Sequence, residues 1–124
     1  MKATLASHNQ TPRKVRLVTE LVKGKKISSA LAILQFLPKR ASEPIAKLIK
    51  SAIANAKEKG ENPDEMIVKS ITVESAGMLK KYMPRAMGRA TLIRRRKSRI
   101  TLDLGNQKSE IRKRNSPISG LRTP

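Results

Sequence analysis

The chain has 124 residues, 28 of them Lys or Arg against 9 Asp or Glu, for a formal net charge of +19. That length fits one domain with a modest core, but so much like charge repels itself in a compact state and calls for a polyanion, nucleic acid before an anionic membrane surface. The absence of cysteine excludes disulfides, thiolate metal sites and a thiol nucleophile, no apolar run approaches the ~18 residues of a membrane span, and the opening MKATLASHNQTPRK has no apolar h-region, so no secretory leader is expected and the cytosol is the expected compartment.

Residues 2–7, KATLAS, alternate weakly and read as an edge strand. In TPRKVRLVTELVKGK, Thr11 is placed to cap a helix and Pro12 suits its first position. Val15, Val18 and Val22 recur at helical spacing beside Leu17 and Leu21, and Lys23-Gly24 is a stop. SSALAILQFLP repeats the logic: Ser28 or Ser29 caps, Leu31, Leu34 and Leu37 face one way, Phe36 enters the core and Pro38 stops the helix. The third helix is the most regular. Ile45, Leu48, Ile49, Ala52, Ile53 and Ala56 form one apolar stripe, with Ser42 as its cap, Pro44 in the first turn, and Lys57, Lys59 and Gly60 at its end. After GENPDE the period changes to two. In MIVKSITVES, Ile67, Ile71 and Val73 are expected on one face with Lys69 as the exception; in SRITLDL, Ile100, Leu102 and Leu104 are expected inward. The order, one weak strand, three helices and two strands, predicts an α+β fold: a small three-stranded antiparallel sheet packed with three helices, its last two strands paired as a local hairpin. Residues 1–104 form the expected single domain. Residues 105–124, polar and rich in Gly, Pro and Ser, read as a flexible basic tail.

Between the last two strands lies KKYMPRAMGRATLIRRRKSR, residues 80–99, with nine basic side chains and no acidic one. Too long for a tight turn, it predicts a protruding β-hairpin over about 76–98, reaching roughly 30 Å from the body if the strands simply continue. Such a ribbon is marginal alone in water and would be ordered by what it touches. Lys80, Lys81, Arg85, Arg89, Arg94, Arg95, Arg96, Lys97 and Arg99 offer dense phosphate contacts, and the predominance of Arg suits bidentate binding. Pro84 and Gly88 mark a tip turn. Met78, Leu79, Met83, Met87, Leu92 and Ile93 have no core to enter that far out. A second basic patch, Arg13, Lys14, Arg16, Lys23, Lys25 and Lys26, spans the start of the first helix and the loop after it, where free N–H groups welcome a phosphate.

With one Tyr, one Phe and no Trp, a base-stacking platform is not expected. Recognition would rest on phosphates, shape and many simultaneous contacts with a folded RNA or DNA. Catalysis has no support: His8 lacks a partner, the carboxylates are scattered, and no metal-spaced cluster, phosphate loop or nucleophile motif occurs, so neither metal nor cofactor is expected.

TPRKVRLVTELVKGK, SAIANAKEKG and MPRAMGRATLIRRRKSRITL, in this order and spacing, resemble the bacterial L-twenty-two family of large-subunit ribosomal proteins over roughly residues 1–104. The resemblance implies a small α+β body near the exit of the peptide tunnel and a hairpin, residues 80–97, threading through large-subunit rRNA. Its tip, Met83, Pro84, Arg85, Ala86, Met87, Gly88 and Arg89, would line the tunnel opposite a loop of the L-four family and meet the nascent peptide. Binding to several rRNA domains, a role in subunit assembly, and rRNA contacts from Arg13, Lys14 and Arg16 are implied as well. Neither a membrane nor a homo-oligomer is implied. Met87 departs from the Lys or Arg usual before that glycine. An organellar ribosome fits as well as a cytoplasmic one. The competing reading is an architectural DNA-binding protein with basic β arms and Pro84 as a tip wedge. An RNA-modifying enzyme has only the basic surface behind it.

Overall fold

The computed structural model describes residues 1–108. Strand β1 (Lys2–His8) is followed by helices α1 (Pro12–Val22), α2 (Ile27–Phe36) and α3 (Ser42–Glu58), then by the long strands β2 (Met66–Pro84) and β3 (Ala90–Asn106). The sheet order is β1-β3-β2, antiparallel throughout. The expected α+β architecture, with β1 at an edge and a hairpin of the last two strands, is the one observed. β3 also takes in Gly105 and Asn106, which pair with Ile67 and Met66. Most of the stretch read as a tail lies outside the described residues.

One face of the sheet is covered. Ile100, Leu102 and Leu104 of the central strand are fully or almost fully buried, and Val15, Val18 and Val22 of α1 and Ile45, Ile49, Ala52 and Ala56 of α3 pack in the same core. The other sheet face, with Thr4, Thr72, Glu74 and Arg99, stays exposed. This one-sided burial explains the clean alternation legible in the sequence of β3.

Four expectations fail, each for a local reason. In β2 the buried side chains are Met66, Val68, Ile71 and Val73, while Ile67 is half-buried. A bulge between Val68 and Ser70 inserts Lys69 opposite a single step of β3, and one extra residue turns every later side chain to the other face. Lys69 is thus the cause of the broken alternation rather than an exception to it.

The second helix starts at Ile27, with Lys26 at its N-cap. Ser28 and Ser29 are first-turn residues, not caps, because Ile27 is drawn into the core and the Ala30 N–H already bonds the Lys26 carbonyl at 2.9 Å. Ser42 is the first residue of α3; Ala41 holds the N-cap, and the Ser42 hydroxyl is buried without a partner among the described residues. Phe36 is 82% exposed instead of in the core. It lies two residues beyond the buried Leu34, about 200° around the helix, on the side of the exposed Ala32.

Candidate nucleic-acid interface

The two long strands leave the body together. Pairing runs without a break from Met78 opposite Arg96 to Pro84 opposite Ala90, seven residues a side, or about 23 Å of two-stranded ribbon. Side chains directly opposite share a face. One face carries Lys80 opposite Arg94, with Met78 opposite Arg96 and Tyr82 opposite Leu92; the other carries Leu79 opposite Arg95 and Lys81 opposite Ile93. Like charges in direct opposition destabilise a ladder. Among the described residues no carboxylate forms an ion pair with any of the nine arm cations. The free ribbon therefore carries an uncompensated electrostatic cost.

At the tip the Arg85 N–H donates to the Arg89 carbonyl at 2.7 Å, and Met87 and Gly88 both take positive φ, 64° and 69°. Gly88 does so without strain. Met87 has a Cβ and does not, and its side chain is 97% exposed. Residues 83–89 are all exposed.

The root of the arm is built by irregularity on both flanks of an unbroken central strand. β2 bulges between Ser75 and Met78, where Gly77 has φ 99°, and β1 shifts register between Leu5 and His8. Both shifts fall around Ser98, which pairs with His8 on one side and Ser75 on the other and is fully buried. Bulges raise local twist and re-aim the strand beyond them, so the ribbon bends over the body there.

The bend closes an open cleft of about 670 Å³ between arm and body. Lys81, Arg94, Arg95, Arg96 and Lys97 line it from the arm, Lys14 from α1, Arg40 from the α2–α3 loop, and Asn9, Gln10 and Thr11 from the loop before α1. Seven cations converge there with no carboxylate among the described residues. Thr11 holds the N-cap position of α1 but its side chain makes no capping bond, and no acidic residue occupies the first turn. That end of the helix keeps its positive dipole and free donors. Cationic and hydrogen-bonding, the cleft has the chemistry to hold a phosphodiester backbone.

The profile of the family described as Ribosomal protein L22p/L17e matches residues 3–105. The chain belongs to this family. The large ribosomal subunit protein uL22 of Desulfitobacterium hafniense is 54% identical over 93 residues, 74% of this chain and 82% of the relative. That of Herpetosiphon aurantiacus is 48% identical over 102 residues, 82% of this chain and 90% of its own length. That of Geobacter sulfurreducens is 45% identical over 106 residues, 85% and 96% respectively.

On this L22p/L17e fold the residues singled out in the sequence fall into separate groups. Lys14, Lys81 and Arg94 to Lys97 meet at the cleft. Lys80, Arg85, Arg89 and Arg99 are exposed on the arm or beside its root. Arg16 is partly committed to the body: its guanidinium donates to the Val73 carbonyl at 3.0 Å, covering the outer edge of β2. Arg13 is exposed beside Lys14. Lys25 and Lys26 stand apart from the arm. The loop that carries them is bonded to the start of β2, Gly24 N–H to Val68 carbonyl at 2.8 Å and Val68 N–H to Lys25 carbonyl at 2.9 Å, at the opposite end of the body from the arm root. The second basic patch is therefore two patches. Arg40 was not singled out, although Lys39-Arg40 in an interhelical loop is a readable basic pair. His8, expected to lack a partner, has its Nε2 3.1 Å from Gln10 Oε1, inside the loop that borders the cleft.

Proposed function

We propose that the chain is a structural constituent of the large subunit of the bacterial cytoplasmic ribosome, held there by rRNA lying along the arm and in the cleft, with tip residues 83–89 lining the nascent-peptide exit tunnel opposite a loop of the L-four family. Subunit membership is supported by relatives named as large-subunit proteins over most of their length. RNA binding is supported above all by one observation: a ribbon whose opposed cations, Lys80 and Arg94, have no carboxylate among the described residues to neutralise them. A polyanion lying along the ribbon relieves that repulsion.

The tunnel assignment draws on the arm's reach and on a tip whose residues 83–89 are all exposed. Met87 gives this apex an apolar, uncharged summit between Arg85 and Arg89, so the arginines, not residue 87, carry any phosphate contact there. Membership of a ribosomal family of structural proteins displaces both the DNA-arm and the enzyme readings.

Sedimentation of cell extracts tests the assignment directly. The chain is expected with large subunits, and the purified protein should prefer structured 23S-type rRNA fragments to duplex DNA at matched salt. A chain found mainly free, or preferring bent duplex DNA, refutes it.

A further inference from the structure

Of the three α-helices, α2 alone carries no charge. Its sequence, ISSALAILQF, has no charged residue in a chain where Lys and Arg supply 28 of 124 positions. Its inner face, Ile27, Ala30 and Leu34, is buried. Its outer face presents Ala32, Ile33 and Phe36 as an apolar shelf, with Phe36 82% exposed. Ser28, Ser29 and Gln35 are its exposed polar residues, and an exposed apolar patch beside a polar rim marks a contact. Leu37 joins this shelf to a groove of about 530 Å³ between α2 and α3, rimmed by Lys39 and Lys50. The groove's one carboxylate, Glu43, is already paired with Lys47 at 3.0 Å. Lys39 and Lys50 form no ion pair among the described residues.

We propose that this surface docks a neighbouring protein through a segment that combines apolar side chains with carboxylates. RNA is disfavoured, because no residue of α2 offers a cation to a phosphate. A second copy of a chain carrying +19 would bring like charge against the Lys39 and Lys50 rim, and so would the chain's own residues 109–124, whose Arg and Lys outnumber their single Glu. The rim's sign asks for acidic groups, and the shelf asks for apolar ones.

The proposal rests on the subunit assignment above, and the test separates the two. Large subunits are isolated from cells carrying Phe36→p-benzoyl-phenylalanine, irradiated, and the cross-linked species sequenced. The expected product is a peptide of another protein containing Leu, Ile, Met or Phe next to Asp or Glu, with its yield reduced several-fold by Lys39→Glu. A cross-link to rRNA, to a second copy or to residues 109–124, or no cross-link at all, overturns the docking proposal while leaving the subunit assignment standing. Failure of the variant to sediment with subunits, when Phe36→Ala and the unmodified chain fail too, overturns both. Circular dichroism of Phe36→Ala is expected to match the parent, since so exposed a side chain leaves no cavity.

Discussion

Replacing Arg94 with Gln separates two effects that the arm combines. Arg94 lies opposite Lys80 on the ribbon and also lines the cleft. In the free protein the substitution removes a like-charge opposition worth about 0.2–1 kcal/mol, so amide exchange across residues 79–95 should slow by up to about fivefold. On RNA it removes one phosphate contact. If each of the seven cleft cations meets one phosphate, the slope of log affinity against log salt is about −5 to −6, and Arg94→Gln reduces its magnitude by about 0.7–0.9, or roughly sixfold in affinity near 0.1 M salt. The assay is filter binding to an rRNA fragment over a salt series, with hydrogen exchange on the free protein. Lys47→Gln is the control, because Lys47 already has Glu43 as a partner and should leave the slope unchanged. The reasoning fails if Arg94→Gln leaves the slope intact, if Lys47→Gln lowers it equally, or if the free ribbon exchanges faster without the charge.

Deleting residues 79–91 leaves residues 92–95 to link Met78 to its partner Arg96. No deleted side chain belongs to the core, so the thermal midpoint should stay within a few degrees of the parent; an unfolded body would refute the extended-arm structure. Ile49→Ala, at a fully buried position of α3, should cost about 2–5 kcal/mol in urea denaturation. Met87→Gly relieves a left-handed residue, an effect of roughly 1 kcal/mol set against added chain entropy, whereas Met87→Val, with its β-branch at positive φ, should open the tip. Exchange of the Arg85 amide, bonded to Arg89, reads both. Arg16→Lys should weaken the link between α1 and the Val73 carbonyl by about 1 kcal/mol while altering the salt slope by much less than Arg94→Gln.

The features legible in the sequence were those set by one-dimensional period. The stripes of α1 and α3 and the alternation of β3 predicted which side chains would be inside, because each belongs to an element with one buried face. The failures share a physical origin in geometry that a period cannot carry. Lys69 breaks alternation by sitting in a bulge, which the sequence shows only as a misplaced lysine. Phe36 looks like core by type, yet its angular position near the end of α2 puts it outside. For the interface, the arm's charges were evident as a run, but the cleft was not. Arg40 and Lys14 come from separate loops and helices, and only the bend at Gly77 and Ser98 brings the arm over them. The patch at Lys25 and Lys26 shows the converse: residues near in sequence to Lys14 are carried away by the length of α1.

Every register shift in the sheet lies on β1 or β2; β3 runs from Ala90 to Asn106 with none of its own. Its first residues pair at the tip, and Ile100, Leu102 and Leu104 further along it are rooted in the core. Mechanically the protein is a single taut spar with two jointed stays. A load applied at residues 85–89 passes along the spar in shear, across many ladder bonds at once, while the joints in the stays absorb lateral movement. Displacement at the apex is thus felt in the body, where Ile100 to Leu104 lie about 33–46 Å of strand away at about 3.3 Å per residue, without any hinge in the path.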